Sequence, residues 1–434
     1  MIKQIYNDLD FYKYLKKAQQ EGYKLTFSSE KNSDDTSYTS NCKYIQLENK
    51  MNKIIEINTT YDYAIVEGAT TWVELIKELD KYDYTILSCQ SGLTFSIGGS
   101  FCGNAHGKKT KISMVKDTII EFEYIDGLGN KQKVNKFNEI FHAFPGSLGL
   151  LGFITNIKLK IEKKYGVILN VFKIPLNDNY INYIEQLSKN EDICMINFQC
   201  SYFKKIKEIV LSVFYYNDCN NNLEPINISS FNEHIKIFFT LIIILFWLMS
   251  KFEIMDEIRW YIEKKSLLNL NNNIKCINVN NSFDNWTKLY LNNFKIIEFF
   301  FPIDNFVYCQ KTIMKIFSDN NMKVLSSGSR IVFEIQENNQ GFLRFSQYAT
   351  KSKPYISLVV NFIENKKKLE NITNQIRENI IQKNIKMTYH TTYSWNFTKE
   401  DILFMFPYLY NFIRIKNISD PYNVFSNKFS EKYF

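Results

Sequence analysis

The spacing of apolar positions changes period several times along the chain, and each change marks an element. Leu9, Tyr12 and Leu15 recur at helical intervals, which predicts a helix over 8–21. Ser28 to Thr39 is polar, without periodicity, and reads as a loop. Period-two runs predict strands at Ile54 to Ile57 and Ala64 to Glu67. The next residues, Thr71-Trp-Val-Glu74, have the capping-box spacing that starts a helix through Leu79. Thr118 to Tyr124 alternates again, Asp126-Gly127 turns the chain and Lys131 to Val134 returns. Gly146 to Gly152 then leads into a strand over Phe153 to Leu159, closing a first domain over 1–165.

A second domain is predicted over 166–400. Strand-like runs at Ile193 to Phe198, Glu208 to Phe214, Ile296 to Phe301, Val332 to Ile335 and Ile356 to Phe362 are interspersed with helix-like runs over 303–319 and 366–384. This order implies an antiparallel sheet backed by helices, and the fold class is α+β. Within this domain Ile235 to Met249 is apolar except at Lys236 and Thr240. It is shorter than the ~20 residues that cross a bilayer. It reads as a buried core helix, or as a hydrophobic lid or interfacial segment giving peripheral membrane contact through 235–249. A third segment, 401–434, follows a helix cap at Thr398-x-x-Asp401.

Composition narrows the function classes. With 434 residues, 16% aromatic and 23% charged, the chain is globular and has room for two or three domains. The net charge of +8 comes from short scattered lysine runs with no aromatic-laced basic stripe, so no nucleic acid is expected as a partner. Eight cysteines show no C-x-x-C pair, and the start MIKQIYNDLDFYKYL has no apolar signal core. The expected setting is reduced, intracellular and cytoplasmic. Cys102-x-x-x-His106 lacks a second ligand pair, and His106, His142, His234 and His390 are too scattered to suggest a zinc site or a hydrolase triad.

The chemistry is concentrated in Ser91 to Lys109, SGLTFSIGGSFCGNAHGKK. Glycine is scarce, 15 in the whole chain, yet Gly92, Gly98, Gly99, Gly103 and Gly107 cluster here among Ser91, Thr94, Ser96 and Asn104. Small residues with hydroxyl and amide neighbours let a backbone approach an anionic cofactor and donate to its phosphates. Ile97-Gly98-Gly99 followed by Ala105-His106-Gly107-Lys108 resembles a segment of the FAD-linked oxidases of the vanillyl-alcohol-oxidase type, most closely the decaprenylphosphoryl-ribose oxidase branch. Phe144-Pro-Gly-Ser-Leu-Gly-Leu-Leu-Gly-Phe-Ile154, after Glu139-Ile-Phe, is similar to that family's second flavin segment. Trp260-Tyr261, Phe301-Pro302 and Asp420-Pro421 through Phe425 fall in family order.

The resemblance implies a two-domain PCMH-type FAD-binding fold with a substrate (cap) domain, the segment 401–434 returning to the FAD domain. It implies FAD contacts at Ser91, Gly92, Ser96, Gly98, Gly99, Gly103, Asn104, Ala105, His106, Gly149, Gly152 and Ile154. The family's first glycine-rich pyrophosphate loop is replaced here by Ser28-Ser-Glu-Lys-Asn-Ser33. Lys31 and Asn32 are its candidate phosphate contacts, while Glu30 would repel a diphosphate. No histidine precedes His106, so the flavin is expected to be non-covalent. Lys416, with Arg414 as its rival, is the candidate lysine at the flavin. His106 serves in proton transfer or in ordering the glycine loop, and Lys108 is a site lysine or a surface charge. Glu298, Val359 and Asn361 stand where the resembled oxidase has polar groups for its sugar, a departure that implies a different substrate. The expected activity is oxidation of a secondary alcohol of a sugar or polyol, or of a lipid-linked sugar, with the electron acceptor unassigned. The alternatives are an aldonolactone oxidase and a degenerate flavin fold with a binding or structural role.

Overall fold

A computed structural model describes residues 2–28, 38–90, 92–177, 179–200, 208–217, 253–270, 277–282, 294–322, 324–332, 343, 353–363, 366–392 and 395–434. The readings at Lys31, Asn32 and Ser91, on the apolar run 235–249 and on 333–335 lie outside the described residues.

The chain opens with strand β1 (Ile2–Ile5), helix α1 (Asp8–Glu21) and strands β2 (Lys24–Ser28) and β3 (Tyr44–Asn49), which form a parallel three-stranded sheet in the order β1-β3-β2. The side chain of Asn7 accepts the Asp10 N–H and fixes the start of α1. This registers the helix so that Phe11, Leu15 and Ala18 are buried, while Leu9, predicted on the apolar stripe, is 78% exposed. Phe11 stacks on Phe153 with centroids 4.6 Å apart, and Phe27 and Phe425 complete the cluster.

An antiparallel sheet follows, built from β4 (Ile54–Asn58), β5 (Tyr63–Glu67), β6 (Tyr84–Ile86), β7 (Ile119–Ile125), β8 (Lys131–Asn135) and β9 (Phe153–Lys163), in the order β4-β5-β9-β7-β8 with β6 also on β9. Between its strands lie helices α2 (Trp72–Asp80), α3 (Ile97–Cys102) and α4 (Glu139–Ala143). The predicted capping box is present at α2, where Thr71 and Glu74 each accept the other's backbone N–H. Trp72 is wholly buried and its indole N–H donates to Ser100 Oγ at 2.9 Å, tying α2 to α3.

The chain changes sheet between Lys163 and Gly166. The second sheet is formed by β10 (Gly166–Pro175), β11 (Ile193–Cys200), β12 (Glu208–Asn217), β13 (Ile277–Asn278), β14 (Phe294–Pro302), β15 (Val324–Val332), β16 (Tyr355–Ile363) and β17 (Thr388–Tyr389), in the order β13-β10-β12-β11-β15-β16-β14-β17. All its pairings are antiparallel. Helices α5 (Tyr180–Ser188), α7 (Ile303–Asp319) and α8 (Lys366–Ile376) pack against it, and α6 (Glu253–Leu270) seats Trp260 on Val171 and Val210. β15 begins at Val324, ahead of the strand predicted from Val332: Ser327, Gly328 and Ser329 look like a loop, but β11 and β16 supply their ladders.

Strand alternation then builds two faces. On β14, Ile297, Phe299 and Phe301 join the main core. Phe300 points the other way, onto Met114 of the first domain, in a cluster with Val332 and Tyr355. Glu298 shares that second face. The last segment, α9 (Lys399–Met405), α10 (Leu409–Ser419) and α11 (Lys428–Tyr433), returns to the first domain, where Phe425 pairs in parallel with Leu25 of β2. Among the described residues, no helix is long and apolar enough to cross a membrane.

Candidate functional site

The glycine segment wraps around the short helix α3. Ser96 caps it by accepting the Gly99 N–H at 3.2 Å. A side chain on Gly98 would put its Cβ 2.6 Å from the Gly68 carbonyl, and one on Gly107 would stand 2.3 Å from that of Cys89. Those two glycines let protein backbones meet. Gly92 similarly abuts Phe95, Gly103 abuts the Thr392 methyl, Gly149 abuts Phe27 and Gly152 abuts Tyr124. Gly99 differs in being exposed. Ala105 is buried with its N–H donated to Ser100 and its carbonyl accepting from Val115. Ile154 is buried in β9 opposite Tyr124.

The adjoining residue bears on whether a cofactor fits. Asn104 takes a left-handed backbone, φ 54°, and is 2% exposed, and neither Oδ1 nor Nδ2 of its amide has a hydrogen-bond partner. Ser147, in the second flavin segment, is wholly buried, with the Cys102 thiol as the one weak partner beside its hydroxyl among the described residues. Buried polar atoms left unpaired cost about 1–3 kcal/mol each, so a protein retains them where something else supplies the partner. A polar, planar ring with donors and acceptors along its edge meets that need, and the residues present fit a flavin.

His106 lies in the same loop, buried against the second sheet. Its Nε2 is 2.8 Å from Oε1 of Glu298, its Nδ1 is 3.3 Å from the Gly107 carbonyl, and its ring meets Phe300 edge-on at 5.5 Å. Both ring nitrogens thus face oxygen acceptors. Burial pushes the Glu298 carboxyl up, but His106, with His390 and Arg330 behind it, outweighs burial and holds it down at about 2. Glu298 is therefore a carboxylate at neutral pH. Its second oxygen, Oε2, meets no protein donor among the described residues. His390 adjoins the pair: its N–H donates to the Glu298 carbonyl at 3.0 Å, and its Nδ1 is 2.7 Å from the Thr392 hydroxyl. Burial drives its imidazole down to about 4, against the pull of Glu298.

Register sets out the polar groups around this pair. Ser357 stands opposite Phe300 and Arg330, Val359 opposite Glu298 and Gly328, and Gln199 opposite Gly328. Gln199 Oε1 and Ser357 Oγ are buried without a hydrogen-bond partner among the described residues, and Asn361 is buried on the same strand face as Ser357. One face of the second sheet therefore offers polar atoms toward the glycine loop.

The candidate lysines lie in different places. Lys108 is buried, and its neighbour Lys109 pairs with Glu162 and lies over the Tyr165 ring at 5.3 Å. Lys416 was expected at the flavin, but its ammonium is consumed by Asp420 at 2.5 Å and by Asn423 Oδ1 at 3.2 Å. Asp420 also accepts the backbone N–H groups of Val424 and Phe425, so Lys416 braces the turn that leads to β2. Burial lowers its pKa despite Asp420. Its rival Arg414 is half-exposed and pairs with Glu139. Sequence reading had placed Glu298 but not its bond to His106, and had missed His390 and Thr392. The available signal was a carboxylate inside the apolar strand IIEFFFP.

Comparison with known proteins bears on this loop. Residues 9–135 match the FAD binding domain family. Over 126 residues the chain is 27% identical to D-arabinono-1,4-lactone oxidase of Candida glabrata, covering 27% of this chain and 24% of that protein. Over 111 residues it is 26% identical to cytokinin dehydrogenase 3 of Arabidopsis thaliana, covering 25% and 21%. Over 142 residues it is 21% identical to the mitochondrial L-galactono-1,4-lactone dehydrogenase of Brassica oleracea, covering 32% and 22%. The matches thus span under a quarter of the length of these relatives. The solved cholesterol oxidase of Brevibacterium sterolicum superposes over 99% of this chain and 93% of its own, with a TM-score of 0.76 at 12% identity. The predicted two-domain α+β architecture, an FAD-binding domain joined to an antiparallel cap sheet, is the observed one, and the cofactor it takes is FAD.

Proposed function

We propose that this flavoprotein oxidises a secondary alcohol of a sugar or polyol, with the Glu298–His106 pair as proton acceptor. Bound FAD supplies the hydride acceptor for conversion of a carbinol carbon to a carbonyl. The observation that carries the reading is the buried 2.8 Å contact between a carboxylate of the cap sheet and the histidine of the glycine loop. A hydroxyl docked at Glu298 Oε2 would give its proton to the carboxylate, while His106 holds the first oxygen in place. The buried oxygens of Gln199 and Ser357 then accept from neighbouring hydroxyls, which favours a polyhydroxylated substrate over a plain hydrocarbon alcohol.

An aldonolactone is the second reading, favoured by the two lactone-oxidising enzymes among the relatives. The lipid-linked sugar rests on the Ile97-Gly98-Gly99 and His106-Gly107-Lys108 resemblance. The test is to record the visible spectrum of the FAD-loaded protein without oxygen, then add alditols, aldonolactones and prenyl-phosphate sugars in turn. Bleaching by one class assigns it. Flavin that bleaches with dithionite but with none of the three overturns the proposal, and a protein that takes up no FAD supports the degenerate scaffold. Flavin released on denaturation is the expected sign of non-covalent binding.

A further inference from the structure

We propose that His390, steadied by Thr392, is a positioning residue that holds Glu298 in register with His106 across the two domains. This rests on the reading of Glu298 and His106 as the proton-accepting pair. The geometry forms a closed circuit. Phe299 and Phe300 of β14 pair with Tyr389 and Thr388 of β17, and the next residue along, His390, donates its N–H to the Glu298 carbonyl at 3.0 Å. Thr392 grips the His390 ring at 2.7 Å, and its methyl abuts Gly103 of the glycine loop. Three residues past Gly103 that loop delivers His106 to Glu298. The loop thus meets the cap domain at two points, Gly103 against Thr392 and His106 on Glu298.

Among the described residues, the charged and titratable groups that act on His390 include Glu298 of β14, His106 of the glycine loop and, through Glu298, Arg330 of β15. A neutral ring at position 390 leaves the Glu298 carboxylate to His106, with Arg330 behind it. A protonated one would compete for it. Burial favours the neutral form, and Thr392 fixes which nitrogen turns toward the threonine.

The test uses the whole apo protein labelled at histidine ring carbons. Four histidines give four resonances, assigned by single substitution, and each is titrated by NMR in wild type, Thr392→Val, Thr392→Ser and His390→Asn. The expected result is that Thr392→Val and His390→Asn each move the His106 titration by at least about half a pH unit. Thr392→Ser, which keeps the hydroxyl, should match wild type, and His142 should not move in any variant. A His106 curve that stays put in both Thr392→Val and His390→Asn overturns the inference. Because no substrate or flavin enters the measurement, its failure is separate from failure of the oxidase reading.

Discussion

Two side chains carry opposite predictions. Glu298→Gln keeps the shape and a hydrogen bond to His106 but removes the proton acceptor. The variant should bind FAD as wild type does, while the rate of substrate-driven bleaching falls by about 10²–10⁴. An unchanged rate in stopped flow would remove Glu298 from the chemistry. Lys416→Met should do the reverse. It leaves Asp420 buried with its two backbone donors but without its cation, and urea unfolding should show a loss of roughly 3–5 kcal/mol. The bleaching rate of the folded fraction should hold. A slowed rate at unchanged stability would return Lys416 to the flavin, as its sequence position suggested.

At the scale of elements, the glycine loop depends on close backbone approach. Gly107→Ala forces its new carbon against the Cys89 carbonyl, backbone that cannot step aside, so the loop carrying His106 must shift. Titration of the apo variant by flavin fluorescence quenching should show at least about tenfold weaker FAD binding, a cost of about 1.4 kcal/mol. Gly328→Ala, with nothing within 4 Å of its added carbon, should bind FAD as wild type. Local signals of this kind were the legible ones. Both capping boxes, Thr71 with Glu74 and Thr398 with Asp401, form as spaced, because each is satisfied within one helical turn. The parallel strands β1, β2 and β3 were not anticipated, since β1 pairs with residues 44 positions away and β2 with residues 20 away, and their burial leaves no clean alternation. The His106–Glu298 contact was illegible for the same reason: its partners are 192 residues apart, and only the tertiary fold brings them together.

For the whole molecule, the buried charge network makes stability depend on pH. His390 is held at about 4 against an ordinary 6.5, so the unfolded chain takes up its proton first. The contribution is fully present above pH 6.5 and lost progressively as pH falls to about 4, amounting to roughly 3 kcal/mol. Glu298, held at about 2 against 4.5, loses its share only below pH 4.5. A series of melting temperatures from pH 7 to 4 should therefore fall more steeply for wild type than for His390→Asn, and parallel curves would contradict a neutral His390. The place of Phe425 beside Leu25 acts on a different timescale. A chain leaving the ribosome presents Phe11, Phe27 and Phe153 early, but the residue that closes their cluster arrives only after the entire cap has been synthesised. The cofactor half is thus begun first and sealed last. During translation its open aromatic face is the natural client surface for a chaperone.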